Sequence, residues 1–282
     1  MKLYIREIRP LNWIKNIFIF VPIVFSLELF NKNKLLTTVL AFISFCFISS
    51  AVYVFNDICD ADNDAVHPIK CTRPIASGAI AKRKAALLAG LFAIIGLSGS
   101  SFVSILTFVL AFAYLWLNLF YSLYLKNKAI IDCFCIATGF VLRVYIGGAA
   151  SKVIVSDWLF LSVAAMSLFM AFGKRLGELI KANNNSMRRV LNLYNIGYLD
   201  GMLFVFAGLS ITFYAFWSMN RGFGMIYTVP LVFYIVSKYI LLMHNNDSQG
   251  DPTSVIYRSK SLLVSIALYI AFTISLLYSG IM

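Results

Sequence analysis

The chain has 282 residues, of which 61% are hydrophobic and 13% charged, with a mean hydropathy of +0.84. Soluble domains carry roughly 45–50% apolar and about 25% charged residues, which excludes a soluble enzyme, a disordered chain and a secreted disulfide scaffold. The net charge of +12 would suggest nucleic acid in a soluble protein; in so apolar a chain it reads as loop charge that sets membrane topology, with no nucleic-acid partner.

Nine apolar segments follow in chain order, at about 13–30, 35–55, 84–101, 103–125, 129–150, 157–173, 198–219, 224–243 and 261–280. A helix needs roughly 20 residues to cross about 30 Å of hydrocarbon, and continuous apolar runs are not the alternating strands of a barrel. The expected fold is all-α, a polytopic bundle of nine transmembrane helices forming a single domain over 1–282. The third and fourth segments are separated only by the small polar run Ser98–Ser104. The first segment lacks a small-residue cleavage site, so it reads as an uncleaved span. The five cysteines lack zinc spacing and read as reduced core residues.

With the N-terminus inside, eighteen Lys and Arg lie on the inner side and four (Lys32, Lys34, Lys152 and Arg221) on the outer side. The excess of basic residues places the N-terminus in the cytoplasm and the C-terminus outside, with every long polar loop on the cytoplasmic face of a cell membrane. The sequence sets no oligomeric state.

The first chemical constellation follows span two: Asn56-Asp57-Ile58-Cys59-Asp60-Ala61-Asp62-Asn63-Asp64, then His67-Pro68-Ile69-Lys70-Cys71-Thr72-Arg73. At 100° per residue Asp57, Asp60 and Asp64 fall within about 60° of one another, while Asp62 points elsewhere. Three carboxylates on one face repel unless cations bind there. Hard oxygen ligands suit Mg²⁺, which keeps few protein ligands beside substrate phosphates. Lys70, Arg73 and His67 are placed to take phosphate oxygens. A solvated acidic loop is the plain alternative.

A second basic group, Lys174 and Arg175 ahead of Glu178, follows span six. It reads either as topology-setting charge or as a phosphate clamp. Span five carries Asp132 and Arg143, which share a helix face eleven residues apart. An intramembrane Arg points to function by default, the alternative being an ion pair with another span. Gly147-Gly148-Ala149-Ala150 permits close helix packing. Lys126 at the end of span four, and Lys15 in Arg9-Pro10-Leu11-Asn12-Trp13-Ile14-Lys15-Asn16, can also reach a site at this edge, although interfacial anchoring explains the latter stretch equally well. The segment from Gly250 to Lys260 is similarly open. His244 has no partner visible in the sequence.

Nine helices with Asn56, Asp57, Asp60 and Asp64 in an Asn-Asp-x-x-Asp-x-x-x-Asp pattern resemble the UbiA superfamily of intramembrane prenyltransferases. The resemblance implies that the acidic stretch binds Mg²⁺ and a pyrophosphate. Most members carry a second aspartate-rich motif after span six; this chain has Gly173-Lys174-Arg175-Leu176-Gly177-Glu178 there instead. That departure, with the stretches 67–78 and 9–16, is similar to the branch of decaprenyl-phosphate phosphoribosyltransferases. The implied reaction moves 5-phosphoribose from phosphoribosyl pyrophosphate to a polyprenyl phosphate, with Asp57, Asp60 and Asp64 as catalytic metal ligands. Asn56, Lys15, His67, Lys70, Arg73, Lys126, Asp132, Arg143, Lys174 and Arg175 would contact substrate. The rival expectations are a prenyltransferase using a prenyl diphosphate, and a transporter or scaffold without catalysis.

Overall fold

The computed structural model describes residues 2–66, 70–181, 189–222, 224–244, 255 and 259–279. His67 and most of the segment from Gly250 to Arg258 lie outside them. Among the described residues there are helices and turns but no strand. Nine helical stretches are long and apolar enough to cross a membrane, and they answer to the nine expected segments.

The chain divides into two compact units, one of Met1–Lys126 with Gly139–Val155, the other of Asn127–Thr138 with Ser156–Met282. In the first unit, α1 (Lys2–Ile8), a 3₁₀ stretch (Pro10–Phe20) and α2 (Val21–Phe25) make one broken crossing. It starts earlier than the apolar run alone suggests. Then come α3 (Lys32–Ala65), α4 (Lys82–Val103), α5 (Ile105–Leu123) and the greater part of α6 (Ile131–Ser151). The core of this unit gathers Ile19, Phe45, Ile48, Val52, Ala111, Tyr114 and Ile146.

Ser104 alone separates α4 from α5. Its backbone is extended (φ −169°, ψ 158°), and its hydroxyl accepts the Thr107 N–H as an N-cap. Small residues let the helices approach closely. A Cβ on Gly96 would stand 2.6 Å from the Ser44 carbonyl oxygen, and one on Gly147 would stand 1.9 Å from that of Ile19.

The second unit contains the start of α6, α7 (Asp157–Lys181), α8 (Ile196–Arg221), α9 (Val229–His244) and α10 (Lys260–Ser279). Its core is built by Phe169, Phe172, Leu176, Leu199, Leu203, Tyr239 and Met243. α3 and α7, with α6 at 50%, are the most buried spans. The apolar windows of α3 and α7 are 56% and 61% buried, against 17% for α4 and 22% for α10, whose remaining apolar surface suits lipid.

Candidate active site

α3 has 34 residues, about 51 Å of helix at 1.5 Å per residue, whereas the hydrocarbon layer takes about 30 Å. Its last turns therefore outrun a membrane while remaining helical, and they carry Asn56–Asp64. The expected span ended at 55, and the helix that the acid spacing implied does run on through these residues. The helix persists because Val54 and Ala61 on one side pack on Ile75, Ile80, Ala85 and Ala89, while the acids on other sides meet cations. Asp62 is turned away from the others and pairs with Lys82 at 2.8 Å in solvent.

Asp57 is 2% exposed and sits between two guanidiniums, those of Arg9 and Arg73. One nitrogen of Arg73 donates to Asp57 at 2.9 Å and to Asp64 at 2.5 Å. Lys70 stands 4.0 Å from the other oxygen of Asp64. Asp60 receives Lys126 at 2.5 Å and the Asn56 amide at 3.0 Å. The Asn56 carbonyl in turn accepts from Ser122 at 3.2 Å. Six predicted residues are thus in ion pairs at this end of α3, in two groups: Arg73 and Lys70 with Asp57 and Asp64, and Lys126 with Asp60, which Asn56 also bonds.

Two members were missed in the sequence. Arg9 reaches Asp57 from the turn before Pro10, where it is held in the left-handed conformation at φ 51°. A non-glycine residue is strained there by about 1–3 kcal/mol. Glu7, on α1, is only 1% exposed. Its sequence signal is a lone acid in a short polar prelude. The N-terminal stretch is fastened to α3 by Ser50, which donates to the Ile8 carbonyl at 2.9 Å and accepts from Trp13 at 3.0 Å. Lys15 is half-buried within electrostatic reach of Tyr114.

Deeper in the same unit, Arg143 is 4% exposed and makes no ion pair with a described acid. It donates to the Asn16 carbonyl at 3.0 Å, to the Gly139 carbonyl at 2.7 Å and to the Tyr114 hydroxyl at 3.1 Å. The rings of Phe45, Tyr114 and Phe140 lie 4.9–5.2 Å from its guanidinium carbon. Neutral acceptors and ring faces thus surround it, and not the acid that the ion-pair alternative required.

In the second unit, α7 continues past the expected end of its span, so Lys174 and Arg175 are helical. Arg175 has no exposed surface. It pairs with Asp132, also fully buried, and with Glu178 at 2.6 Å. Tyr194 donates to Asp132 at 2.8 Å and accepts the Ile130 N–H at 2.5 Å. Burial pushes the Tyr194 phenol above its ordinary range, which keeps the donated proton in place. Asp132 and Arg175 were expected to touch substrate; here they are closed upon each other, and Lys174 is half-buried beside them. His244, without a partner in the sequence reading, meets Asp200 at 2.9 Å.

The oxygen-rich, charged donor set at the end of α3 is chemically right for a hard divalent ion. Among the described residues, however, no three acidic, histidine or cysteine side chains already converge on one point. Arginine and lysine occupy the carboxylate oxygens instead.

The sequence pattern of the UbiA prenyltransferase family matches residues 17–263, and the chain belongs to that family of transferase enzymes. It is 32% identical to the decaprenyl-phosphate phosphoribosyltransferase of Corynebacterium glutamicum, over 92% of this chain and 82% of that one. It is likewise 32% identical to the enzyme of the same name from Mycolicibacterium smegmatis, over 77% and 70%. Among solved structures, a UbiA homolog from Archaeoglobus fulgidus bound to GPP and Mg²⁺ shares the fold with a TM-score of 0.76 at 18% identity, covering 98% of this chain and 99% of that one. Digeranylgeranylglyceryl phosphate synthase superposes with a TM-score of 0.72 at 20% identity, over 99% and 98%.

Proposed function

We propose that this protein transfers 5-phosphoribose from phosphoribosyl pyrophosphate to a polyprenyl phosphate, releasing pyrophosphate, with Mg²⁺ as cofactor. The observation that carries this reading is the alternation of acids and bases at the end of α3, where Arg73 joins Asp57 to Asp64 and Lys126 holds Asp60. The phosphoribosyltransferase relatives, similar over most of the chain, supply the substrate class. We read both compact units as parts of one transferase domain because the family match runs through both.

Asp57, Asp60 and Asp64 are the residues that would hold the metal. Bound there, Mg²⁺ would neutralise charge on the departing pyrophosphate. Arg9, Lys70 and Arg73 would exchange their carboxylate partners for phosphate oxygens as substrate enters. Lys126 and Asn56 would steer Asp60. The bond from the anomeric carbon to pyrophosphate breaks with its electron pair going to the leaving group, and a lipid phosphate oxygen bonds that carbon from the opposite face. That oxygen is already anionic, so the chain needs no general base. Arg143 and Lys15, in the same unit, are further candidate phosphate contacts. The surplus of basic residues on the inner side supports a site at the cytoplasmic edge of the cell membrane.

Purified protein given labelled phosphoribosyl pyrophosphate and polyprenyl phosphate should yield labelled lipid, and chelation should stop it. The competing reading, transfer from a prenyl diphosphate, draws on the family name. Turnover of a prenyl diphosphate without any labelled phosphoribosyl lipid would establish it instead.

A further inference from the structure

Glu7 presents a problem of charge. It is 1% exposed, and neither carboxylate oxygen meets an N–H or O–H donor among the described residues. The side chain it meets is another acid, Asp57, itself 2% exposed. Arg9 and Arg73 are within electrostatic reach of Glu7, but both direct their N–H groups at Asp57. An unpaired buried carboxylate beside a second one is costly on two counts, desolvation and like-charge repulsion. This placement is not a loose end. Ser50 bonds the Ile8 carbonyl next to Glu7, and Arg6 on the same helix donates to Thr72 at 3.3 Å.

We propose that Glu7 and Asp57 form a two-carboxylate seat for a divalent cation, with Glu7 the ligand supplied from outside the acidic stretch of α3. Mg²⁺ and its surrogates settle for one or two carboxylates when substrate phosphates and water complete the octahedron. A pair of acids is therefore sufficient, and the lack of three converging side chains is no obstacle. The seat lies where Arg9 and Arg73 are available for the phosphates that such an ion would carry. It also explains why α1 is pinned against α3 at Ile8: the pin fixes the neighbouring carboxylate.

This inference rests on the metal-dependent reading above, so the test separates the two. Mn²⁺ alone is titrated into the full chain in detergent micelles, and the free-ion signal is followed by electron paramagnetic resonance. Glu7→Gln should raise the Mn²⁺ Kd roughly tenfold or more while thermal melting without metal is unchanged or improved. Glu28→Gln, whose parent residue pairs with Lys34 at 2.7 Å elsewhere, should leave the Kd alone. If Glu7→Gln binds like the parent while Asp57→Asn loses the ion, the role of Glu7 is overturned and the metal reading stands. If the parent shows no saturable Mn²⁺ binding and its turnover survives a chelator, both fall. Should Glu7→Gln not fold, Glu7→Asp takes its place. It withdraws the carboxylate by one methylene, the same weakening is expected, and an unchanged Kd overturns the proposal.

Discussion

Two clusters of acids and bases use the same chemistry in opposite ways. At the end of α3 the acids are sheltered, but their partners Arg9, Arg73, Lys70 and Lys126 keep 18–31% of their side chains exposed. In the second unit Asp132 and Arg175 are both at 0%, and Tyr194 seals the remaining oxygen of Asp132. A cation that keeps contact with water can change partners without a large desolvation step; one enclosed with its acid cannot. Burial of the base, not the presence of an ion pair, separates a site that can exchange partners from a brace.

That contrast can be broken at either end. Asp132→Ala takes one of two acids from the enclosed Arg175 guanidinium, leaving only Glu178, and removes the acceptor of the Tyr194 hydroxyl; it should lower stability by about 3 kcal/mol, read as a fall in the melting temperature in detergent. If the protein melts normally, the second cluster is not a brace. Asp57→Asn should instead leave melting nearly unchanged and remove about 3 kcal/mol of transition-state stabilisation, roughly a hundredfold in turnover of the labelled donor. Gly147→Ala drives a methyl group into the Ile19 carbonyl and should cost about 1–3 kcal/mol, measurable by the same melting assay. Lys126→Met should raise the KM for the sugar donor with a smaller effect on kcat, worth about 1 kcal/mol for one half-buried charge contact. At the bottom of the scale, Lys82→Ala opens the solvent-exposed pair with Asp62 and should change melting by no more than about 0.5 kcal/mol. A large effect there would mean that exposure is the wrong criterion.

The spans were legible because twenty apolar residues in a row have few other uses. The polar run Ser98–Ser104 marked the division between the third and fourth spans, but not that helix continues to Val103 and that Ser104 alone makes the break. The helical spacing of Asp57, Asp60 and Asp64 was legible as well, because periodicity operates within one element, although their side chains do not converge on one point. What periodicity cannot do is join separate elements. It put Asp132 and Arg143 on one face, yet Asp132 found Arg175 and Tyr194, while Arg143 found Asn16 and aromatic rings. Arg9 and Glu7 were hidden for the same reason, their meaning coming wholly from α3. The apolar span ends about ten residues before α3 does, because hydropathy stops where the membrane stops, whereas backbone hydrogen bonds continue as long as side-chain partners hold the turns.

The contact of Ile19 with Gly147 and the bond from Arg143 to Asn16, 127 positions apart, also constrain biogenesis. The amino-terminal crossing leaves the ribosome long before α6 exists, and synthesis proceeds at about 5–20 residues per second. For several seconds the side-chain oxygen of Asn16 must wait without Arg143, while its amide nitrogen can already meet Cys46 and Ser49 of α3. The first unit therefore closes late, when the arginine of α6 arrives to dock, and a nascent chain arrested before that helix would be a natural substrate for membrane quality control.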